Sequence, residues 1–191
     1  MLNLKDRFSI TLLLLVLIAA NCEIGHADPY LIRVDKSDNI LVVENNRGNI
    51  VKKYTVAVGR GGKGDKKLMG DKKTPVGSYL VTGFNEKSKF DFFIRLNYPN
   101  IKDAYYGYIN RTISKEQFTR IVSAVRASEP PPQNTKLGGA IGIHGIGRET
   151  SRKLLIHRNI DWTEGCVALR NYEVKELKRF VSVGTKVIIS E

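Results

Sequence analysis

Between residues 30 and 58 the apolar positions come in short β-branched and aliphatic runs broken by turn chemistry. Residues 30–35 (Tyr-Leu-Ile-Arg-Val-Asp) and 40–45 (Ile-Leu-Val-Val-Glu-Asn) flank Lys36-Ser37-Asp38-Asn39, a hairpin signal. Asn45-Asn46-Arg47-Gly48-Asn49 then turns the chain into a third run, 50–58. Three antiparallel strands in a meander are predicted, a pattern of sandwiches or barrels rather than of alternating βαβ units. Thr74-Pro75-Val76-Gly77 leads into another strand, and 90–96 (Phe-Asp-Phe-Phe-Ile-Arg-Leu) reads as a buried one. Residues 114–128 predict a helix: Ser114 with Gln117 three residues on is a capping box, and Phe118, Ile121, Val122 and Val125 fall on one face. Pro130-Pro131-Pro132 ends it. Near the C-terminus Asn171 is the expected cap of a second helix carrying Val174, Leu177 and Val181, and Gly184 stops it before a closing strand at 185–189. The fold class is mainly β with short helices (α+β), one helical excursion lying at about 114–128.

Two stretches resist simple assignment. Gly59-Arg60-Gly61-Gly62-Lys63-Gly64 matches G-x-G-x-x-G, but a dinucleotide site needs a helix starting there. Loop residues follow instead, so a basic loop is expected. At the N-terminus, Lys5 and Arg7 precede the apolar run Ile10 to Ala20, and Gly25-His26-Ala27 offers small residues at the positions a signal peptidase reads. Residues 1–27 are therefore expected to be a signal peptide and 28–191 one exported, periplasmic domain, with no transmembrane anchor after cleavage.

Charge changes the picture next. The chain has 31 Lys and Arg against 19 Asp and Glu, a net +12, and the segment to residue 27 carries as many acids as bases. Such a surface favours anionic partners such as nucleic acid, acidic lipid or a carboxylate-rich polymer. Export and the lack of an aromatic-interleaved basic motif argue against nucleic acid. Of two cysteines, Cys22 leaves with the signal segment, so Cys166 cannot form an internal disulfide in the mature chain. It is then inert, intermolecular or a reactive thiol.

The flanking residues favour reactivity. His144 leaves the apolar run Gly139-Ala140-Ile141-Gly142-Ile143 and meets Gly145. Cys166 follows Asp161-Trp162-Thr163-Glu164-Gly165 and enters Val167-Ala168-Leu169. A thiol of ordinary pKa is only a few per cent thiolate at neutral pH and needs a base or cation beside it. His144 can take the proton and return it to a leaving amine. A carbonyl at or near Gly145 would fix its tautomer, and amides from Thr163 to Cys166, with Gly165 allowing close approach, are oxyanion-hole candidates. His157, amid Leu154-Leu155-Ile156, is the second-ranked base. A zinc site from His144, His157 and Cys166 lacks close ligand pairs and a fourth ligand, so no metal and no cofactor is expected. Trp162, Arg170 and Tyr106, the last in the cluster Tyr105-Tyr106-Tyr108, are candidate substrate-binding residues.

His144-Gly145 and Thr163-Glu164-Gly165-Cys166-Val167, with Lys73-Thr74-Pro75-Val76-Gly77 and the Asn39–Gly59 hairpin, resemble the L,D-transpeptidase catalytic domain family of bacterial cell-wall enzymes, in its Asp-Trp-Thr-x-Gly-Cys variant. The resemblance spans most of residues 30–190. It implies a β-sandwich with short helices, Cys166 as acyl-accepting nucleophile, His144 as base and Gly145 lending a carbonyl to it. It also implies a peptidoglycan stem tetrapeptide as donor, attacked at its third residue, and an amine as acceptor, with an outer-membrane lipoprotein as a further partner. Glu164 stands where the family has His or Arg, Ala168 where it often has Asn or Arg, and the loop after His144 is slightly longer. These departures bear on the acceptor more than on the nucleophile. Two alternatives remain: a hydrolase on the same scaffold, with water resolving the thioester, and a non-catalytic wall-binding module using the basic surface.

Overall fold

The computed structural model describes residues 30–191. The expected signal peptide, 1–27, lies outside the described residues. Alternation of apolar and polar side chains builds β1 (Tyr30–Asp35), β2 (Ile40–Asn45) and β3 (Ile50–Thr55), paired antiparallel in sequence as the hairpin signals predict. Ile32, Val34, Leu41 and Val43 point inward and are buried, and the residues between them face outward. β4 (Gly77–Ser88) and β5 (Asp91–Leu96) form a second hairpin, with β4 longer than the run that announced it.

All eight strands lie in one sheet, ordered β3-β2-β1-β8-β4-β5-β6-β7, where β6 is Gly142–His144, β7 is Val167–Ala168 and β8 is Lys186–Ser190. The C-terminal strand does not close an edge. It runs parallel to β1 and antiparallel to β4, and so joins the two hairpins from the middle. The segment after β3 then crosses to the opposite edge, where Ala57 bridges Ala168 and Gly59 bridges Thr163. The sheet is thereby drawn round on itself, and its inner face supplies one core that includes Tyr79, Ile94, Ile143, Val167 and Leu177.

The helical excursion is longer than predicted. α1 (Ile101–Ile109) precedes α2 (Lys115–Arg126), and both have complete capping boxes, Asn100 with Asp103 and Ser114 with Gln117. A small separate core of Ala104, Ile113, Ile121 and Leu137 holds them together. The tyrosine cluster therefore sits on α1, with Tyr105, Tyr106 and Tyr108 all exposed. α3 (Ser151–Asn159) occupies the stretch expected to be a polar loop. It has no apolar face to announce it: His157 is its buried residue, and Leu155 faces solvent. α4 (Asn171–Leu177) continues as a 3₁₀ turn, Lys178–Phe180. Its cap position is Arg170, whose N–H is taken by the Glu173 carboxylate, rather than the expected Asn171. Asn171 is inside the helix, and its side chain accepts from Ile146 N–H and donates to Gly147 O.

Asp161 ties the two edges together. Its Oδ1 accepts from the Asn39 side chain and from Val58 N–H, both at 2.8 Å. Val58 is buried, so losing this acceptor strands an amide away from water, at a cost of about 1–3 kcal/mol. Asp161→Ala is expected to lower unfolding stability by that amount in urea melts with the m-value unchanged, whereas Asp161→Asn retains most of it.

Candidate active site

β6 enters the sheet beside β5, with His144 opposite Phe93 and Ile143 opposite Ile94. On its other side, two parallel pairs, Ile143 with Val167 and His144 with Ala168, fix the chain that carries the cysteine. Cys166 stands one residue before β7, level with Gly142, and accepts a backbone hydrogen bond from it. Its thiol donates to Ala140 O at 3.4 Å. Ala140 itself holds a left-handed φ of 53°, a strained value for a residue with a side chain. Residues 22 apart in sequence thus become neighbours on adjacent strands.

The turn before Cys166 is held by its own threonine. Thr163 Oγ1 donates to Cys166 O at 2.7 Å and accepts from Gly165 N–H at 3.1 Å. Gly165 has φ +133°, and a Cβ there would meet Lys73 O at 2.8 Å, so only glycine lets the loop at 73 close over the turn. Thr163 N–H donates to Val58 O. The amides of Thr163 and Gly165 are therefore committed, which narrows the expected oxyanion donors to Glu164 and Cys166. Glu164 is exposed and pairs with Arg60 on the neighbouring basic loop.

His144 is 2 % exposed. Its Nδ1 lies 2.6 Å from Gly145 O. A carbonyl can only accept, so the proton is on Nδ1 and Nε2 carries a bare lone pair. Phe90 stacks on the ring at 4.1 Å between centroids, Phe93 lies parallel at 5.8 Å, and Trp162 meets it edge-on at 5.9 Å. Burial pushes the imidazole pKa down to about 4, the charges of His157 and Lys89 push the same way, and the Gly145 carbonyl opposes them. Burial also pushes the Cys166 thiol up to about 11, against the Gly142 hydrogen bond and the nearby Lys66 charge. Both shifts favour neutral thiol and neutral imidazole over thiolate and imidazolium; the push is firmer on the enclosed His144 than on Cys166, which is half-buried.

The remaining expected residues are distributed around this centre. Trp162 flanks His144. His157 receives the Trp162 indole N–H on its Nδ1 at 3.3 Å, so that nitrogen is already engaged. Arg170 stacks on Tyr172 and lines a cavity of about 240 Å³ with Arg158 and His157. Tyr106 lines a larger cavity, about 630 Å³, shared with Lys66, Lys67 and Lys102. Sequence reasoning did not single out Lys66, the cation whose charge reaches the thiol; its side chain is buried and bonded to Asp71 and Leu68 O.

With this geometry in hand, comparison with known proteins gives a family. The model of the YkuD L,D-transpeptidase catalytic domain matches residues 29–189, and the chain belongs to that family. Solved structures with a similar fold include Bd1075 of Bdellovibrio bacteriovorus, 22% identical over 88% of this chain and 50% of that chain, with a TM-score of 0.55. The helical cell shape determining protein Pgp2 of Campylobacter jejuni is 24% identical over 88% of this chain and 53% of that chain, with a TM-score of 0.54. The chain thus spans about half the length of these structures. No match is found among curated proteins.

Two titrations test the neutral pair. With a pKa of about 11, only about one thiol in ten thousand is ionised at pH 7. Iodoacetamide should therefore alkylate Cys166 slowly at neutral pH, with the rate climbing until about pH 11. A plateau reached below pH 8 would show an ion pair instead. For His144 the folded pKa of about 4 lies below the ordinary 6.5, so the unfolded chain binds the proton first as pH falls. Stability present above pH 6.5 is lost between there and about pH 4, by up to about 3 kcal/mol. Urea melts across that range should show this loss, and His144→Gln should reduce it.

Proposed function

We propose that this chain is a peptidoglycan L,D-transpeptidase in which Cys166 is the nucleophile and His144 the general base. The observation that carries the reading is the strand register. It sets the cysteine beside a histidine whose Nδ1 proton is bound to Gly145 O and whose Nε2 is therefore free to accept. Membership of the L,D-transpeptidase catalytic domain family supports the substrate class we assign, an anionic wall polymer entered through its stem tetrapeptide. The net charge of +12 suits such a polymer. Among the described residues no helix is long and apolar enough to cross a membrane.

The chemistry follows general-base catalysis rather than a preformed thiolate. As Cys166 Sγ attacks the carbonyl of the third stem residue, the S–H bond breaks and its proton passes to His144 Nε2. The negative oxygen of the tetrahedral intermediate is received by the amides of Glu164 and Cys166, which the turn leaves uncommitted. The C–N bond to the terminal residue then breaks, His144 returns the proton to the leaving amine, and a thioester remains on Cys166. An acceptor amine attacks the thioester, gives its proton to His144, and the thiol is reprotonated as the C–S bond breaks. A neutral base with a low pKa is weak, and this sequence offsets that weakness by keeping the imidazole unprotonated and oriented at neutral pH. An outer-membrane lipoprotein amine would satisfy the same acceptor chemistry as a second stem peptide.

Intact-mass spectrometry after exposure to a carbapenem tests the nucleophile and base. The parent protein should gain one adduct, Cys166→Ala none, and His144→Ala should slow adduct formation by about 100-fold or more. An adduct on folded Cys166→Ala would overturn the assignment. Muropeptide digestion with and without an added acceptor stem then separates transfer from hydrolysis, since exclusive chain shortening in the presence of acceptor would mark a hydrolase.

A further inference from the structure

The reaction described above leaves one buried titratable side chain beside the site unused. His157 is 8 % exposed and is the buried residue of α3. Leu155 of this helix faces solvent while Leu154 and Ile156 are only half-buried, so His157 is its one fully buried side chain. Thr150 caps the helix, Lys153 reaches back to Ile146 O, and His157 makes the hydrogen bond to Trp162. Its Nδ1 accepts the Trp162 indole N–H at 3.3 Å, so the neutral ring holds its proton on Nε2. Trp162 in turn sets its ring edge-on to His144 at 68°, while Phe90 stacks on the same imidazole. The imidazole of His144 thus touches an indole whose N–H is held by one acceptor nitrogen.

We propose that His157 is a positioning residue: its bare Nδ1 locks the indole of Trp162, and through that indole the imidazole of His144, in the geometry for proton transfer. The role rests on the reading of His144 as the base, but the lock can be observed without any activity. The charged groups facing His157 are Glu173 and Arg170 from α4, Glu149 from the preceding loop, and Arg158, its neighbour on α3 and in the shared cavity. Burial lowers the imidazole pKa and Arg170 adds to this, while the two glutamates oppose. The ring is therefore neutral at neutral pH, the state in which it can accept. Acid puts a second proton on Nδ1, two N–H groups then face each other, and the lock opens.

Trp162 is the only tryptophan in the chain, so its emission reports the lock directly. With His144→Gln in place, so that the other imidazole against the indole no longer titrates, emission should change as pH falls below neutrality, because an imidazolium replaces the acceptor. In the same background His157→Asn, whose Oδ1 stands where Nδ1 was and does not titrate, should lack that transition. Acylation by a carbapenem should fall about tenfold in His157→Phe, which keeps a ring but offers no acceptor, and stay within about threefold of the parent in His157→Asn. Combining His157→Phe with Trp162→Phe should cost no more than the worse single change. Two results would overturn the proposal: parental acylation by folded His157→Phe, or an emission transition that persists when His157→Asn is combined with His144→Gln. If the parent protein takes up no carbapenem, the assignment of Cys166 and His144 fails, while the emission titration still decides whether His157 holds Trp162. If His157→Phe does not fold, the asparagine variant and the titration decide it.

Discussion

A parallel ladder of two residue pairs underlies the whole site. Ile143 with Val167 and His144 with Ala168 are the contacts that convert a separation of 22 residues into adjacency. So short a ladder has little intrinsic stability, and its position is fixed from both sides. β5 holds β6 through three antiparallel pairs, and the segment after β3 holds β7 through the exchange of both hydrogen bonds between Ala57 and Ala168. Asp161 pins that crossing segment, and Thr163 pins the turn between Asp161 and the cysteine. Cys166 therefore follows a turn whose Thr163 and Gly165 amides are already hydrogen-bonded, which limits how far its backbone can drift.

Burial decides the electrostatic character of the pair. A histidine that is almost fully enclosed, with Phe90, Phe93 and Trp162 against its ring, cannot readily hold a proton, and desolvation likewise raises the pKa of the half-buried Cys166 thiol. Both desolvation effects favour the uncharged forms, and neither the Gly142 amide nor the Lys66 charge outweighs them. In the proposed reaction charge separates only when substrate arrives, with oxyanion donors ready to receive it.

Much of this was legible in the chain. The hairpins β1–β2 and β4–β5 announce themselves by alternation, α2 by its capping box and apolar face, and the candidate nucleophile by an unpaired cysteine between Gly165 and Val167. What escaped did so for physical reasons. α1 mixes tyrosines with Gly107 and lacks an apolar stripe, although Asn100 and Asp103 formed a capping box that could have been read. α3 has no stripe because its one fully buried side chain is an imidazole, with Leu154 and Ile156 only half-buried beside it. The place of β8 between β1 and β4 is set by long-range pairing that no local pattern encodes. Asn171 has the chemistry of a helix cap, but Ile146 and Gly147 compete for its side chain and win. The Gly145 carbonyl beside His144 was foreseeable, whereas the hydroxyl of Thr163 consuming the Gly165 amide appears only once the turn is folded.

The closure of the sheet at Ala57 and Ala168 also limits how a peptide can approach. An ordinary edge strand presents a row of unpaired N–H and C=O groups that an extended chain can extend as one more strand. At β7 the outward N–H and C=O of Ala168 are both taken by Ala57, and Thr163 is likewise engaged through Val58 and Arg60. An incoming chain meets no ladder to lengthen beside Cys166. A peptide docking at this edge would lie across side chains rather than along backbone, which would leave its recognition to pockets and charges.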